Sequence, residues 1–232
     1  MREIDLSFWR QAFEAEGYIC EDELFITVTL ALKLGRPLLI EGAPGVGKTE
    51  IAKVLARVLE TDLIRLQCYE GLDESKALYE WNYQGQLLKI QLMRESHREP
   101  VNEAEIFSPQ YLLERPLLKA IRSEQQVVLL IDEIDKTDQE FEAFLFEILS
   151  DFQVSIPELG TVKARHLPVV VLTSNQEREL SDGLRRRCVY LYIDYPSSEK
   201  EQEILRCKIP GAEKRLIWEI ATAVHYLRYE LD

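Results

Sequence analysis

Five short, mainly apolar runs punctuate the first 195 residues of the chain, each five or six residues long. Runs of this length are typical of strands that are buried on both faces of a parallel sheet. They occupy residues 37–41, 63–67, 127–132, 168–173 and 189–193. The sequence therefore predicts a five-stranded sheet as the centre of the fold.

Between these runs, apolar residues recur three and four positions apart, which predicts amphipathic helices. The helical patterns cover residues 49–59, 87–94, 111–122 and 136–152. Because strands and helices alternate, right-handed crossovers and parallel strands are expected, in an α/β core over residues 36–195. After Pro196 the pattern is helical alone, at 198–209 and 213–228, and predicts the start of a small all-α lid that does not close a core of its own.

The segment that joins the first strand to the first helix matches the phosphate-loop pattern G-x-x-x-x-G-K-[ST]. Its glycines let backbone N–H groups point at phosphate oxygens, and the helix N-terminus adds partial positive charge. Lys48 is predicted to reach the β and γ phosphates of ATP, and the Thr49 hydroxyl to bind Mg²⁺. A chance glycine turn is the alternative, but the flanking strand and helix favour the phosphate loop. The predicted nucleotide-binding residues are Gly42, Ala43, Pro44, Gly45, Val46, Gly47, Lys48, Thr49 and Glu50.

Two adjacent carboxylates, Asp132 and Glu133, end the third apolar run. A parallel strand delivers them to the carboxyl edge of the sheet, where ligands of such folds bind. There Asp132 is predicted to hold the water shell of Mg²⁺, and Glu133 to polarise the attacking water as a general base. Alone, the pair could be acids that end a strand in solvent, but the phosphate loop upstream favours catalysis. A water-activating acid also favours a hydrolytic motor over a small-molecule kinase.

The helical pattern after the acid pair begins with the segment TDQE, residues 137–140, which predicts an N-terminal capping box. The large apolar positions of this helix are predicted to be core residues: Phe141, Phe144, Leu145, Ile148 and Phe152. The acids of the same helix are interpreted as a solvated face rather than a ligand cluster: Asp138, Glu140, Glu142, Glu147 and Asp151.

Two polar features lie near the last two strands. Asn175 follows the fourth apolar run, where its amide could orient the attacking water or touch the γ phosphate; an asparagine that merely starts a turn is the alternative. Arg185, Arg186 and Arg187 precede the last run, and they offer positive charge to the γ phosphate of a neighbouring subunit. We predict Arg187 as this arginine finger and Arg186 as the second choice; a solvated basic patch is the alternative.

Composition narrows the function. Acidic residues outnumber basic ones by 41 to 28, so the chain exerts no general electrostatic attraction on nucleic acids or anionic membranes. The four cysteines, at positions 20, 68, 188 and 207, suggest neither a zinc site nor a disulfide framework, which fits a reducing compartment. The N-terminus carries acids where a secretory signal is basic, and no run approaches the ~20 apolar residues of a membrane span. We expect a cytoplasmic protein with no membrane span and no nucleic-acid partner.

Taken together, GAPGVGKT, VVLLIDEIDK, LTSN and LRRRC resemble the motifs of the AAA+ superfamily in order and spacing. More narrowly, the chain is similar to the MoxR-like ATPases, in the branch associated with carbon monoxide dehydrogenase maturation. The narrower similarity is carried by residues 79–88, 107–118, 179–188 and 192–196.

The resemblance implies a P-loop NTPase fold with a helical insertion near residues 82–110 and a β-hairpin near residues 152–165. It implies that helices within residues 1–35 contribute to an adenine pocket near Gly17, Tyr18 and Ile19, ahead of a core at 36–195 and a partial lid at 196–232. The family's second sensor arginine would lie outside this chain. The resemblance also implies a hexameric ring, a client enzyme that receives or activates a metal cofactor, and a partner with a von Willebrand factor A-type domain.

Three functions remain in competition. ATP-driven remodelling of a partner protein is the leading prediction. A DNA-directed AAA+ motor, such as a clamp loader or helicase loader, is disfavoured by the net acidity and by the lack of a basic stripe. A nucleotide-switched scaffold with negligible hydrolysis is disfavoured by Glu133, Asn175 and the arginines.

Overall fold

The computed structural model describes residues 6–95 and 103–229. In chain order, the strands are β1 Leu38–Gly42, β2 Leu63–Gln67, β3 Tyr79–Trp81, β4 Leu112–Glu114, β5 Val128–Asp132, β6 Gln153–Ile156, β7 Gly160–Lys163, β8 Val169–Ser174 and β9 Val189–Ile193. The helices are α1 Leu6–Ala15, α2 Asp22–Leu34, α3 Lys48–Val58, α4 Glu74–Ala77, α5 Tyr83–Glu95, α6 Glu103–Ile106, α7 Pro116–Ile121, α8 Gln139–Asp151, α9 Asp182–Arg185, α10 Ser198–Lys208 and α11 Lys214–Tyr229.

The central sheet has five strands in the order β2-β5-β8-β1-β9, and every neighbouring pair is parallel. Side chains of a strand alternate between the two faces of the sheet. Accordingly, Leu38 and Ile40 belong to an apolar cluster that includes α3, whereas Leu39 belongs to a second cluster that includes α7 and α8. Helices therefore cover both faces, and the chain has the predicted α/β P-loop fold.

The position of each strand in the sheet explains its sequence. The central strands β1 and β5 are buried at every residue, so they are almost continuously apolar. The edge strands β2 and β9 have exposed positions in between, such as Arg65 and Tyr190. The five predicted strands match the observed ones to within one residue at each end. Because all five run in parallel, their polar ends meet at one edge of the sheet.

The single helix predicted at residues 111–122 is wrong. A 3₁₀ turn at Pro109–Tyr111 leads into β4, which pairs antiparallel with β3, and α7 begins only at Pro116. Proline disfavours helical geometry in the residue before it, and Arg115 is extended, with φ −90° and ψ 171°. The helix consequently starts at the proline, whose fixed φ suits a first helical position.

The helix predicted at residues 136–152 is α8, preceded by a 3₁₀ turn at Ile134–Lys136. Its N-cap is Asp138, whose carboxylate accepts the backbone N–H of Phe141 at 2.8 Å, and not Thr137 as the capping box suggests. The Thr137 hydroxyl instead donates to the Ile134 carbonyl at 2.8 Å. The prediction that Glu142 lies on a solvated face is also wrong, because its side chain is 1% exposed.

The peripheral elements agree with the resemblance where the structure describes them. The hairpin predicted near residues 152–165 is formed by β6 and β7, which pair antiparallel. The insertion near residues 82–110 contains α5 and α6, and residues 96–102 lie outside the described part of the chain. Two helices, α10 and α11, follow the sheet and pack against each other. Among the described helices, none combines the length and the apolarity needed to cross a membrane.

Candidate functional site

The phosphate loop connects β1 to α3, with Pro44 and Gly45 at its turn. A side chain at Gly42 would place its Cβ 2.0 Å from the Ile193 carbonyl oxygen, so β9 leaves no room for any residue but glycine. Gly47 has φ 94°, in the left-handed region that favours glycine, and it is the N-cap of α3. The glycines thus set the close approach of the loop to β9 and its entry into the helix.

Lys48 is the first residue of α3, and its ammonium lies inside the loop. Its Nζ donates to the carbonyl oxygens of Gly42 at 2.7 Å and Ala43 at 2.8 Å. Burial lowers the pKa of Lys48, and the carboxylates of Asp135, Asp132 and Glu133 oppose that change. The lysine is therefore a preorganised cation whose hydrogen bonds to the loop can be exchanged for phosphate oxygens.

Thr49 of α3 and Asp132 of β5 meet at the carboxyl edge of the sheet. The Thr49 hydroxyl donates to Asp132 Oδ1 at 3.0 Å, and the buried Thr173 hydroxyl of β8 donates to the same oxygen at 2.5 Å. On the other carboxylate oxygen, Arg65 Nη2 and Nε donate at 2.6 and 3.0 Å. Asp132 itself is 1% exposed, so these donors compensate the burial of its charge.

The donor set at this edge fits a magnesium ion. A threonine hydroxyl and a carboxylate are hard oxygen ligands, which Mg²⁺ prefers, and their oxygens lie only 3.0 Å apart. Thr49 and Asp132 are the residues that would hold the ion, directly or through its water shell. The sequence interpretation missed Thr173 and Arg65, which orient the Asp132 carboxylate by donating hydrogen bonds to its two oxygens.

Glu133 follows Asp132 in an unusual backbone conformation. Its φ of 59° and ψ of 51° lie in the left-handed region, and its N–H donates to Thr173 Oγ1 at 2.9 Å. The carboxylate Oε2 accepts from Gln67 Nε2 at 2.9 Å and from Lys136 Nζ at 2.7 Å. The side chain is 33% exposed, so water can reach the acid that was predicted to activate it.

The strand order puts Asn175 where the sequence predicted it. β8 lies between β1 and β5, so the residue after β8 emerges between the phosphate loop and the acid pair. A buried carboxylate that the sequence interpretation missed, Asp135, accepts the backbone N–H groups of Asn175 and Glu177, both at 3.0 Å. Asp135 therefore fixes the backbone of this loop, and the predicted role of the Asn175 amide stays a prediction.

The three arginines around the end of α9 have different surroundings. Arg185 Nη2 lies 3.9 Å from Glu41 Oε2, and its guanidinium lies 5.6 Å from the centre of the Tyr190 ring. The Arg187 guanidinium lies 3.3 Å from the centre of the Phe146 ring of α8. Arg186 is 81% exposed and lies 3.7 Å from the equally exposed Asp182. Within this subunit, Arg186 is thus the least constrained of the three.

A cavity of about 460 Å³ opens beside the phosphate loop. Gly17, Tyr18 and Ile19, between α1 and α2, line it together with Val46 and Glu50. The Tyr18 hydroxyl donates to the Gly47 carbonyl at 3.5 Å, and burial raises the pKa of Tyr18 further above its ordinary value. The cavity is a suitable place for a nucleotide base next to the loop, where the resemblance implies an adenine pocket.

The two C-terminal helices close the far side of the cavity. Ile204 and Leu205 of α10 and Ala221 and Val224 of α11 give it an apolar wall. Arg228 of α11 also lines it, stacked 4.4 Å from the centre of the Tyr195 ring and paired with Glu201. The sequence interpretation assigned no role to this arginine, because only the packing of α11 against α10 brings it near the loop.

A family profile of the AAA domain, dynein-related subfamily, matches residues 37–188, which is about two thirds of the chain. The gas vesicle ATPase GvpN of Haloferax mediterranei is 24% identical over 212 residues, covering 87% of this chain and 59% of that protein. GvpN1 of Halobacterium salinarum is 22% identical over 237 residues, covering 94% and 66%. The chain spans less than two thirds of the length of these two relatives.

Solved structures show the same fold. The RuvB Holliday junction branch migration motor of Thermotoga maritima superposes with a TM-score of 0.53 at 19% identity, covering 88% of this chain and 56% of that one. A protein of Cytophaga hutchinsonii superposes with a TM-score of 0.58 at 17% identity, covering 95% of this chain and 63% of that one. At these identities the likeness concerns the fold alone.

Proposed function

We propose that this chain, which belongs to the dynein-related subfamily of AAA domains, binds ATP with Mg²⁺, hydrolyses it, and uses the cycle to remodel a partner protein. The observation that carries the proposal is the convergence of Lys48, Thr49 and Asp132 at one sheet edge, next to Glu133. A phosphate loop alone would serve many nucleotide-binding proteins. The acid beside the magnesium ligands adds a means of activating water.

The proposed reaction assigns one task to each group. Lys48 would exchange its loop carbonyls for phosphate oxygens, and Thr49 and Asp132 would hold Mg²⁺, which would offset charge on the phosphates. Glu133 accepts a proton from the attacking water as the water oxygen bonds to the γ phosphorus. The bond to the bridging oxygen then breaks, and ADP and phosphate are the products.

The finer parts of the proposal concern assembly. AAA+ proteins typically act as rings, and Arg187, the first choice from the sequence, and Arg186, which is 81% exposed, are the two candidates for a finger that reaches the ATP site of a neighbour. We propose a hexamer, a protein client, and a partner with a von Willebrand factor A-type domain. These three, together with a cytoplasmic location, rest on the resemblance and on the composition.

The client is proposed only as a class. Sequence blocks at residues 79–88, 107–118, 179–188 and 192–196 support the branch associated with carbon monoxide dehydrogenase, and thus a chaperone for metal cofactor insertion or activation. The names of the two relatives described above connect them with gas vesicles, and not with a metal cofactor. Both contexts agree with ATP-driven action on another protein.

Client capture tests the proposal. A Glu133→Gln protein with ATP and Mg²⁺ should retain a client that the wild type releases, because the amide cannot accept the proton of the water. Lys48→Ala is the matched control, since it lacks the phosphate-contacting cation and should retain nothing above background. The measurement is affinity purification followed by mass spectrometry, alongside phosphate release by the wild type. Equal recovery by both variants, or a wild type that releases no phosphate, would support a scaffold instead.

A DNA-directed motor is the second candidate, favoured by the fold likeness to RuvB. With a net charge of −13, the chain should bind DNA weakly and only at low salt, because phosphate contacts must overcome a negative field. Fluorescence anisotropy with a labelled duplex at about 0.15 M salt measures this. Submicromolar affinity there, or stimulation of ATP turnover by DNA, would promote the DNA motor over the protein remodeller.

A further inference from the structure

Glu41 is a buried carboxylate at the end of β1, directly before the first glycine of the phosphate loop. It is 4% exposed. By the alternation of the strand it shares a face with Leu39, on the side of the sheet where α8 lies. A charge buried this deeply requires partners, so its contacts indicate what it does.

Groups from separate segments converge on one oxygen of this carboxylate. Gln176 Nε2 and the Tyr190 hydroxyl both donate to Glu41 Oε2 at 3.0 Å. Arg185 Nη2 lies 3.9 Å from the same oxygen, with its guanidinium over the Tyr190 ring. Glu41 therefore contacts the chain after β8 at three points: Gln176 near the start of the segment between β8 and β9, Arg185 near its end, and Tyr190 in β9 itself.

The segment between β8 and β9, residues 175–188, carries the residues that are proposed for catalysis outside the phosphate loop and the acid pair. Asn175 directly precedes Gln176, which has a φ of 62°, a conformation that a non-glycine residue keeps only where its surroundings hold it. Arg186 and Arg187 directly follow Arg185. On the other side of Glu41, the Gly42 carbonyl accepts from Lys48 Nζ at 2.7 Å. One residue thus joins the nucleotide loop to both other parts of the site.

We propose that Glu41 is a positioning residue for hydrolysis, which holds the Asn175 loop and the arginine segment, residues 185–187, in register with the phosphate loop. This inference rests on the proposed ATPase function and deepens it. It links the nucleotide site of a subunit to the arginines that the same subunit offers to its neighbour. Glu41 acts through Gln176, Tyr190 and Arg185 and needs no contact with the nucleotide.

The test compares variants of Glu41 in steady-state ATP hydrolysis by the full chain. Glu41→Ala removes the acceptor of Gln176 and Tyr190, so kcat should fall about tenfold or more while KM for ATP stays within about twofold. Glu41→Gln keeps an acceptor oxygen and should recover most of kcat. Gln176→Ala should lower kcat alone but add little in the Glu41→Ala background, because both changes break the same link.

Glu179→Gln, an exposed carboxylate on the same loop, is the matched control and should hydrolyse ATP like the wild type. A raised KM with unchanged kcat would assign Glu41 to nucleotide binding, and independent, multiplicative losses for Glu41 and Gln176 would remove the link; either overturns the inference. Should Glu41→Ala unfold in a thermal scan, Gln176→Ala and Tyr190→Phe, which remove the two donors and leave the carboxylate in place, carry the test: each should lower kcat while KM for ATP stays within about twofold. A wild type that does not hydrolyse ATP would contradict the proposed function. An active wild type whose Glu41 variants hydrolyse ATP equally fast would contradict this inference alone.

Discussion

Glu133→Gln is expected to lower kcat for ATP hydrolysis by about a hundredfold or more, because general-base catalysis alone contributes that much. The amide has nearly the shape of the carboxylate and can keep polar contacts with Gln67 and Lys136, but it cannot accept the proton of the water. ATP affinity should stay close to that of the wild type, since Lys48 and Thr49 are unchanged. Phosphate release and calorimetric titration with ATP measure the two quantities.

Glu140→Gln supplies the matched control for Glu133→Gln. Glu140 is an exposed carboxylate in the first turn of α8, so the same change of charge there should leave kcat unaltered. If Glu133→Gln hydrolysed ATP at nearly the wild-type rate, the water-activating role would belong to another residue. If both variants lost activity equally, the loss would reflect the charge of this region rather than a base at position 133.

The sheet could be predicted from sequence because burial on two faces leaves a local signal. β1, β5 and β8 are almost continuously apolar, and turn residues or polar residues bound them. Parallel strands also bring their carboxyl ends together. The sequence therefore predicts that the motifs at Lys48, Asp132 and Asn175 converge at one edge of the sheet.

The segment around Pro116 shows where periodicity fails. Apolar residues spaced three and four apart continue from Tyr111 to Ile121, which predicts one helix. In the structure, Leu112 pairs with Trp81 in a short antiparallel ladder, and both side chains are buried in the same apolar cluster. That pairing depends on a strand thirty residues earlier in the chain. A local pattern contains no information about it.

Buried acids are the larger gap in the prediction of the site. Glu142 lies in the first turn of α8 among exposed acids, yet it accepts the Ser181 N–H at 2.8 Å and pairs with Arg178. Asp135 and Glu41 are buried for the same kind of reason, each accepting donors from the chain that follows β8. A carboxylate is retained in the interior only where such donors compensate it. The donors lie far away in sequence, so composition and spacing favour a solvated face.

A protein with both Arg186→Ala and Arg187→Ala is expected to lose about a thousandfold in kcat while it still binds ATP. A cation delivered to the transferring phosphoryl group is worth about that much in comparable enzymes. Arg186 pairs with the exposed Asp182 at 3.7 Å and Arg187 lies over the Phe146 ring, but both side chains are exposed to solvent. Both are therefore available to a neighbour, and the loss should appear in hydrolysis far more than in binding.

Mixing two inactive proteins tests whether the arginines act across subunits. Glu133→Gln keeps its arginines, and Arg186→Ala/Arg187→Ala keeps its acid pair, so a mixed ring contains complete sites at some interfaces. Once size-exclusion chromatography with ATP shows that the mixture forms oligomers, phosphate release should rise well above the sum of the two parts. Arg165→Ala, which removes another exposed arginine that pairs with Glu124 instead, should retain wild-type activity by itself. Oligomers that are no more active than their parts would return Arg186 and Arg187 to an ordinary surface role.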